Sequence, residues 1–112
     1  MKLTIREFLT AEDRSPFRTW VEKLEVTVKA RVQARVLRFE TGNLGDCRAV
    51  GGGVWEARLM FGPGYRVYFG REGFSIILLL LGGDKASQRK DIRDARRFWR
   101  EYLEATHHGE TQ

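Results

Sequence analysis

The chain opens on alternation. Between Lys2 and Phe8, Leu3 and Ile5 fall on one side of an extended segment and Lys2, Thr4 and Arg6 on the other, the period-two pattern of a short half-buried strand. Ser15-Pro16 then reads as a helix start, with Ser as N-cap and Pro at the first helical position, where no N–H is needed. Phe17, Trp20, Val21 and Leu24 follow at i, i+3, i+4, i+7, one apolar stripe on a helix. The pattern resets at Glu25 to Thr27, and a second helix runs to about Thr41, ended by Gly42-Asn43. It carries two apolar stripes: Val28, Val32, Val36, Phe39, and Val26, Ala30, Ala34, Leu37. One stripe suits a sheet, and the other is left for the first helix or a partner chain. The two helices form a hairpin.

Downstream, Gly51-Gly52-Gly53 reads as a flexible lead-in to a strand from Val54 to Phe61. Gly62-Pro63-Gly64 turns the chain, since Pro presets one φ and Gly permits positive φ. Tyr65 to Arg71 returns, Glu72-Gly73 turns again, and Phe74 to Leu81 is a strand apolar on both faces, hence central and covered on both sides. Gly82-Gly83 is expected to break it. From Lys85 to about Ala105 a basic helix buries Ile92, Ala95, Trp99, Tyr102 and Leu103. The fold class is α+β: an N-terminal strand and helical hairpin packed on a curved antiparallel sheet, with a C-terminal helix. Residues 1–106 are expected to form one domain and residues 107–112 a disordered tail.

Composition adds an acidic partner. Among 112 residues, 42% are hydrophobic, enough for a chain of this length to fold alone. Lys and Arg number 20 against 15 Asp and Glu, a net +5 that favours nucleic acid, an anionic membrane or an acidic protein. Cys47 has no second cysteine to pair with, and no apolar run heads the chain, so a cytoplasmic location is expected. The most apolar run, Ile76 to Leu81, is too short to span a bilayer.

Alternation puts Glu56, Arg58, Arg66 and Tyr68 on one sheet face, with Arg58 expected opposite Tyr68 and Met60 opposite Arg66. Two arginines with a tyrosine between them make a site for a phosphate and a stacked base. An ordinary solvated face, with Glu56 balancing the arginines, accounts for the same pattern, and alanine at either arginine should then cost well under about 1 kcal/mol of stability. Gly82-Gly83-Asp84-Lys85 lacks the spacing of a P-loop; it brings Lys85 back over the sheet, or is a strand-to-helix turn with Asp84 as cap. Arg89, Lys90, Arg93, Arg96, Arg97 and Arg100 form a solvated face or extend a positive groove. Cys47 has no His or Cys at ligand spacing, so neither metal nor cofactor is expected.

Taken in order, Gly51-Gly52-Gly53-Val54-Trp55-Glu56-Ala57-Arg58, Gly62-Pro63-Gly64-Tyr65-Arg66-Val67-Tyr68-Phe69 and Leu80-Leu81-Gly82-Gly83-Asp84-Lys85 resemble the RelE/ParE superfamily of type II toxins, in its HigB-like "addiction module killer protein" branch. Gly42-Asn43-Leu44-Gly45-Asp46 and the Gln88 to Leu103 helix fit the same resemblance. It implies a toxin neutralised by a cognate antitoxin, an adjacently encoded helix-turn-helix protein, and a metal-independent endoribonuclease acting on mRNA at the ribosome to block translation. By position, Arg58, Arg66 and Lys85 are the implied catalytic cations; with Tyr68 from the hairpin face and Arg89 from the last helix they make up the expected RNA-binding set. The sequence departs from the ribonuclease pattern after the last strand, where Ala86-Ser87-Gln88 replaces the usual tyrosine or histidine. Arginine is too basic to accept a proton near neutrality, which leaves Glu56 or Lys85 for that role. Relatives that inhibit DNA gyrase, and a nucleic-acid-binding regulatory module, are the alternative readings.

Overall fold

Each period seen in the sequence becomes an element in the computed structural model, which describes residues 2–107. The strands are β1 (Thr4–Glu7), β2 (Cys47–Gly51), β3 (Val54–Leu59), β4 (Tyr65–Glu72) and β5 (Ile76–Gly83); the helices are α1 (Pro16–Glu22), α2 (Val26–Arg38) and α3 (Gln88–His107). Ser15 caps α1 by accepting from the Arg18 N–H at 3.0 Å, with Pro16 at the first turn. A 3₁₀ turn, Phe39–Thr41, extends α2 to the expected end, and Gly42 closes it at φ 84°. Apart from residue 107, which continues α3, the expected disordered tail lies outside the described residues.

The sheet order is β1-β5-β4-β3-β2. β2 to β5 pair antiparallel, but β1 lies parallel to β5, so the sheet is mixed rather than wholly antiparallel. Alternation identifies a strand without giving its direction. The α1–α2 hairpin carries the chain across the sheet to the far edge, and three antiparallel returns bring β5 home beside β1. β2 has no counterpart in the sequence reading, because Cys47–Gly51 shows no clean alternation. Gly51, Gly52 and Gly53, all at positive φ, are a β2–β3 hairpin turn rather than a flexible lead-in.

A core lies on each face of the sheet. On one, Phe17, Val21, Val32 and Phe39 of the hairpin pack against Ala57, Val67, Phe69 and Leu79. On the other, Ala95 and Trp99 of α3 pack against Val54, Tyr68, Leu78 and Leu80. β5 is covered on both faces, as its double-sided apolarity requires. Gly82 and Gly83 do not break β5; they belong to it. A Cβ at Gly82 would meet the Trp20 ring at 2.0 Å, and one at Gly83 would meet Asp91 Oδ2 at 1.9 Å, so both glycines admit close packing. The second stripe of α2 is left uncovered, with Val26 73% and Leu37 63% exposed.

Candidate phosphate-binding site

The β3–β4 register decides what the site is. Arg58 stands directly opposite Arg66, and Glu56 opposite Tyr68; the expected pairings of Arg58 with Tyr68 and Met60 with Arg66 are off by two residues. The turn is longer than three residues, because Leu59 rather than Phe61 pairs with Tyr65. The shift is even, so every side chain keeps its expected face. Two like charges directly opposed across a sheet destabilise it unless anions intervene.

Two anions do. Arg58 Nη2 meets Asp46 Oδ1 at 3.2 Å at the rim. Glu56, fully buried, accepts from Arg48 Nε at 3.0 Å and Gln88 Nε2 at 2.9 Å, and lies 3.6 Å from Arg66 Nε. The Arg66 side chain is itself only 11% exposed. Its Nη1 donates to the Gly64 carbonyl at 2.5 Å, and its buried Nε has no hydrogen-bond partner among the described residues. This is not a solvated face, since the start of α3 lies over it. Arg66 is therefore a buried cation on an internal counter-ion, whereas Arg58 sits at the rim, 35% exposed.

Lys85 joins them through the turn. Its N–H reaches the Pro63 carbonyl at 3.4 Å, and a Cβ at Gly64 would lie 3.1 Å from Arg66 Nη1 and 3.7 Å from Lys85 Cβ. Lys85 and Arg66 thus flank the same glycine. Lys85 lies in the turn before α3 instead of on the helix, because Asp84 Oδ1 accepts from the Ala86 and Ser87 N–H groups and delays the first helical residue to Gln88. The Lys85 side chain is exposed and makes no ion pair among the described residues.

Two members of the expected set stand apart. Tyr68 cannot stack a base: its ring is fully buried under α3, against Trp99 and Leu80. Burial, reinforced by the Glu56 carboxylate, raises its phenol far above the ordinary range, and its hydroxyl has no hydrogen-bond partner among the described residues. Arg89 is exposed on α3, and no contact links it to Arg58 or Arg66. Glu56 holds cations in place; each of its oxygens accepts one hydrogen bond, and the side chain has no solvent exposure.

Sequence reasoning missed Arg48, Asp46, Gln88 and Asp91. Arg48 lies on the strand that shows no pattern, and in sequence Gln88 marks only the place of a missing acid or base. Asp91 is buried over Gly83, and its Oδ2 accepts from Ser87 Oγ at 2.5 Å. Burial raises its carboxyl above the usual value, with the Ser87 hydrogen bond opposing. The bulge at Leu80, where Tyr68 pairs Leu81 and Phe69 pairs Leu79, lies beside this cluster. Among the described residues, no group of three or more His, Cys, Asp or Glu is arranged to hold a metal, and no helix is long and apolar enough to cross a membrane.

No family model and no solved structure matches the chain. A Haemophilus influenzae protein, described as uncharacterized, is 42% identical over 81 residues, spanning 71% of this chain and 82% of that protein. The chain belongs to the same family as this Haemophilus influenzae protein.

Proposed function

We propose that the protein is the toxin of a type II toxin–antitoxin pair, a metal-independent endoribonuclease of the RelE/ParE kind that cuts mRNA at the ribosome in the cytoplasm. The observation carrying this reading is the opposed Arg58–Arg66 pair beside Lys85. A fold that holds two cations directly opposed, each on its own internal carboxylate and with Lys85 beside them, gathers positive charge at one place where a phosphate fits. In the reaction a ribose 2′-oxygen attacks the adjacent phosphorus, the bond to the 5′-oxygen breaks, and a cyclic phosphate and a 5′-hydroxyl result. Arg66 and Arg58 hold the non-bridging oxygens as charge grows on the phosphorane, and Lys85 donates a proton to the departing 5′-oxygen. Solvent takes the 2′-hydroxyl proton, since Glu56 is buried away from solvent. The uncovered Val26, Ala30, Ala34, Leu37 stripe of α2 is the proposed seat of an amphipathic antitoxin segment.

The locking of Glu56 favours a second reading, a toxin that holds its target without cutting, as gyrase inhibitors do. Mapping mRNA 5′ ends after induced expression separates the two. Discrete new 5′-hydroxyl ends, reduced roughly 10²- to 10³-fold in Arg58→Ala, support cleavage. DNA damage with intact mRNA supports the binding-only toxin.

A further inference from the structure

The arginines of α3 are not evenly distributed around the helix. At 3.6 residues per turn, Arg89, Arg93, Arg96 and Arg100 fall within about 60° of one another, in a line running roughly 16 Å along the axis. Lys90, Asp94, Arg97 and Glu101 lie on the neighbouring flank and neutralise each other: Lys90 with Asp94 at 2.8 Å, and Arg97 with Asp94 at 3.7 Å and Glu101 at 3.8 Å. In the line itself Arg96 is anchored, donating to the Val50 carbonyl and resting on Gly51 and Gly52 of the β2–β3 turn. Arg89, Arg93 and Arg100 are exposed and make no ion pair among the described residues. A groove of about 570 Å³ runs beside them. A helix shaped only for solubility has no reason to segregate its paired charges from its unpaired ones. Nor would it favour arginine, whose planar fork suits phosphate better than it suits hydration.

The line starts at the right place. Arg89 follows Gln88, which holds Glu56 beneath Arg66, so the N-terminal end of α3 is both a wall of the cation site and the head of the arginine line. We infer that this line is a track for the phosphate backbone of a single-stranded RNA, leading from the Arg58–Arg66–Lys85 site along the outer face of α3 and ending near Arg100. The inference rests on the RNA reading above and adds the strand's path and the footprint beyond the cleaved bond. Arg89, Arg93 and Arg100 each neutralise one phosphate. Arg96 fixes the helix against the sheet so that the three stay in line.

The test uses 2′-O-methyl oligouridylates, which lack the attacking hydroxyl and stay intact, as a tetranucleotide and a dodecanucleotide titrated by fluorescence anisotropy at rising salt. Wild type should bind the longer probe more tightly and with a steeper salt dependence. Arg93→Gln/Arg100→Gln should flatten the log–log slope for the dodecanucleotide by about 1.4, at roughly 0.7 per lost single-strand contact, and leave the tetranucleotide within about twofold. Lys23→Gln/Arg38→Gln removes the same charge from the α1–α2 layer and should leave both probes unchanged, with melting temperatures equal throughout. Equal affinity and slope for the two probes in wild type, or an equal loss in the Lys23/Arg38 control, overturns the track. In that event loss of both probes in Arg66→Lys shows that the cation site still binds RNA. Failure of wild type to bind either probe overturns the RNA reading and the track together. Unchanged RNA binding in Arg93→Gln/Arg100→Gln with lost capture of the adjacently encoded protein reassigns the line to an acidic partner.

Discussion

Glu56→Gln is the most informative single substitution in this protein. The side chain keeps its volume, so no cavity forms, and only charge and hydrogen-bond polarity change. In the wild type one oxygen accepts from Arg48 and the other from Gln88, with Arg66 Nε close by. A glutamine must present an NH₂ to one of these donors, leaving two donors face to face in a site with no exposure. The Arg66 guanidinium, mostly buried, then loses its nearby anion. Removing one member of a buried pair costs about 3–5 kcal/mol in general. Two features lower that figure here: Arg48 is 55% exposed and contributes under about 1 kcal/mol, and the Arg66 contact is long at 3.6 Å.

The expected loss is therefore about 2–3 kcal/mol, a sizeable share of the roughly 5–15 kcal/mol a domain of this class possesses. At about 4 °C per kcal/mol for a chain near this length, the melting temperature should fall by about 10 °C. Urea denaturation should show a lower midpoint with an unchanged m-value. A loss below about 0.5 kcal/mol would refute the claim that Glu56 holds Arg66 in place. A general-base role predicts a different outcome: normal stability, retained RNA binding and abolished cleavage. Assayed well below its melting point, Glu56→Gln should retain cleavage within about an order of magnitude if the carboxylate only positions cations.

Tyr68→Phe removes a buried hydroxyl that has no partner, so it should leave RNA affinity unchanged and raise stability by up to about 1 kcal/mol in denaturant titration. Gly82→Ala drives a methyl into the Trp20 ring and should cost at least about 2 kcal/mol, with a change in near-ultraviolet circular dichroism as that ring moves. Burial raises the Asp91 carboxyl, so the folded state binds its proton more tightly than the unfolded chain does, and this group makes stability fall as pH climbs above about 4. Asp91→Asn should therefore gain on wild type as pH rises through that window; a constant difference across pH would contradict the assignment.

The parts of the fold legible in the sequence are those where one pattern had one cause. The Ser15-Pro16 start of α1 follows from capping, and the core-facing stripe Val28, Val32, Val36, Phe39 and the two-sided apolarity of β5 follow from packing. β2 was invisible because it is an edge strand whose residues are partly exposed, so alternation has little to act on. Gly82 and Gly83 look like strand breakers in sequence because a sequence shows backbone freedom but not the tryptophan or carboxylate that needs the space. Faces in the site survived an error in register because the slip was even. What could not survive it was the cross-strand neighbour, and the neighbour is what distinguishes a tyrosine between two arginines from two arginines in direct opposition.

That opposition also explains why Arg58 and Arg66 cannot be treated as equivalent, although they share a face and a residue type. Arg58 is paired with an Asp46 that is itself 46% exposed, so truncating it returns one carboxylate to water at little cost. Truncating Arg66 takes away a cation lying against Glu56, whose remaining ion partner, Arg48, is largely in solvent. Loss of activity in Arg66→Ala is then ambiguous between a missing phosphate contact and a loosened sheet, whereas the same loss in Arg58→Ala reports on the site. Arg66→Lys separates the two for the buried position. A lysine keeps the positive charge beside Glu56 but cannot reproduce the fork that spans Glu56, the Gly64 carbonyl and an outside anion at once. The physical demand on residue 66 is thus double, structural inward and anionic outward, and a planar guanidinium is the side chain that meets both.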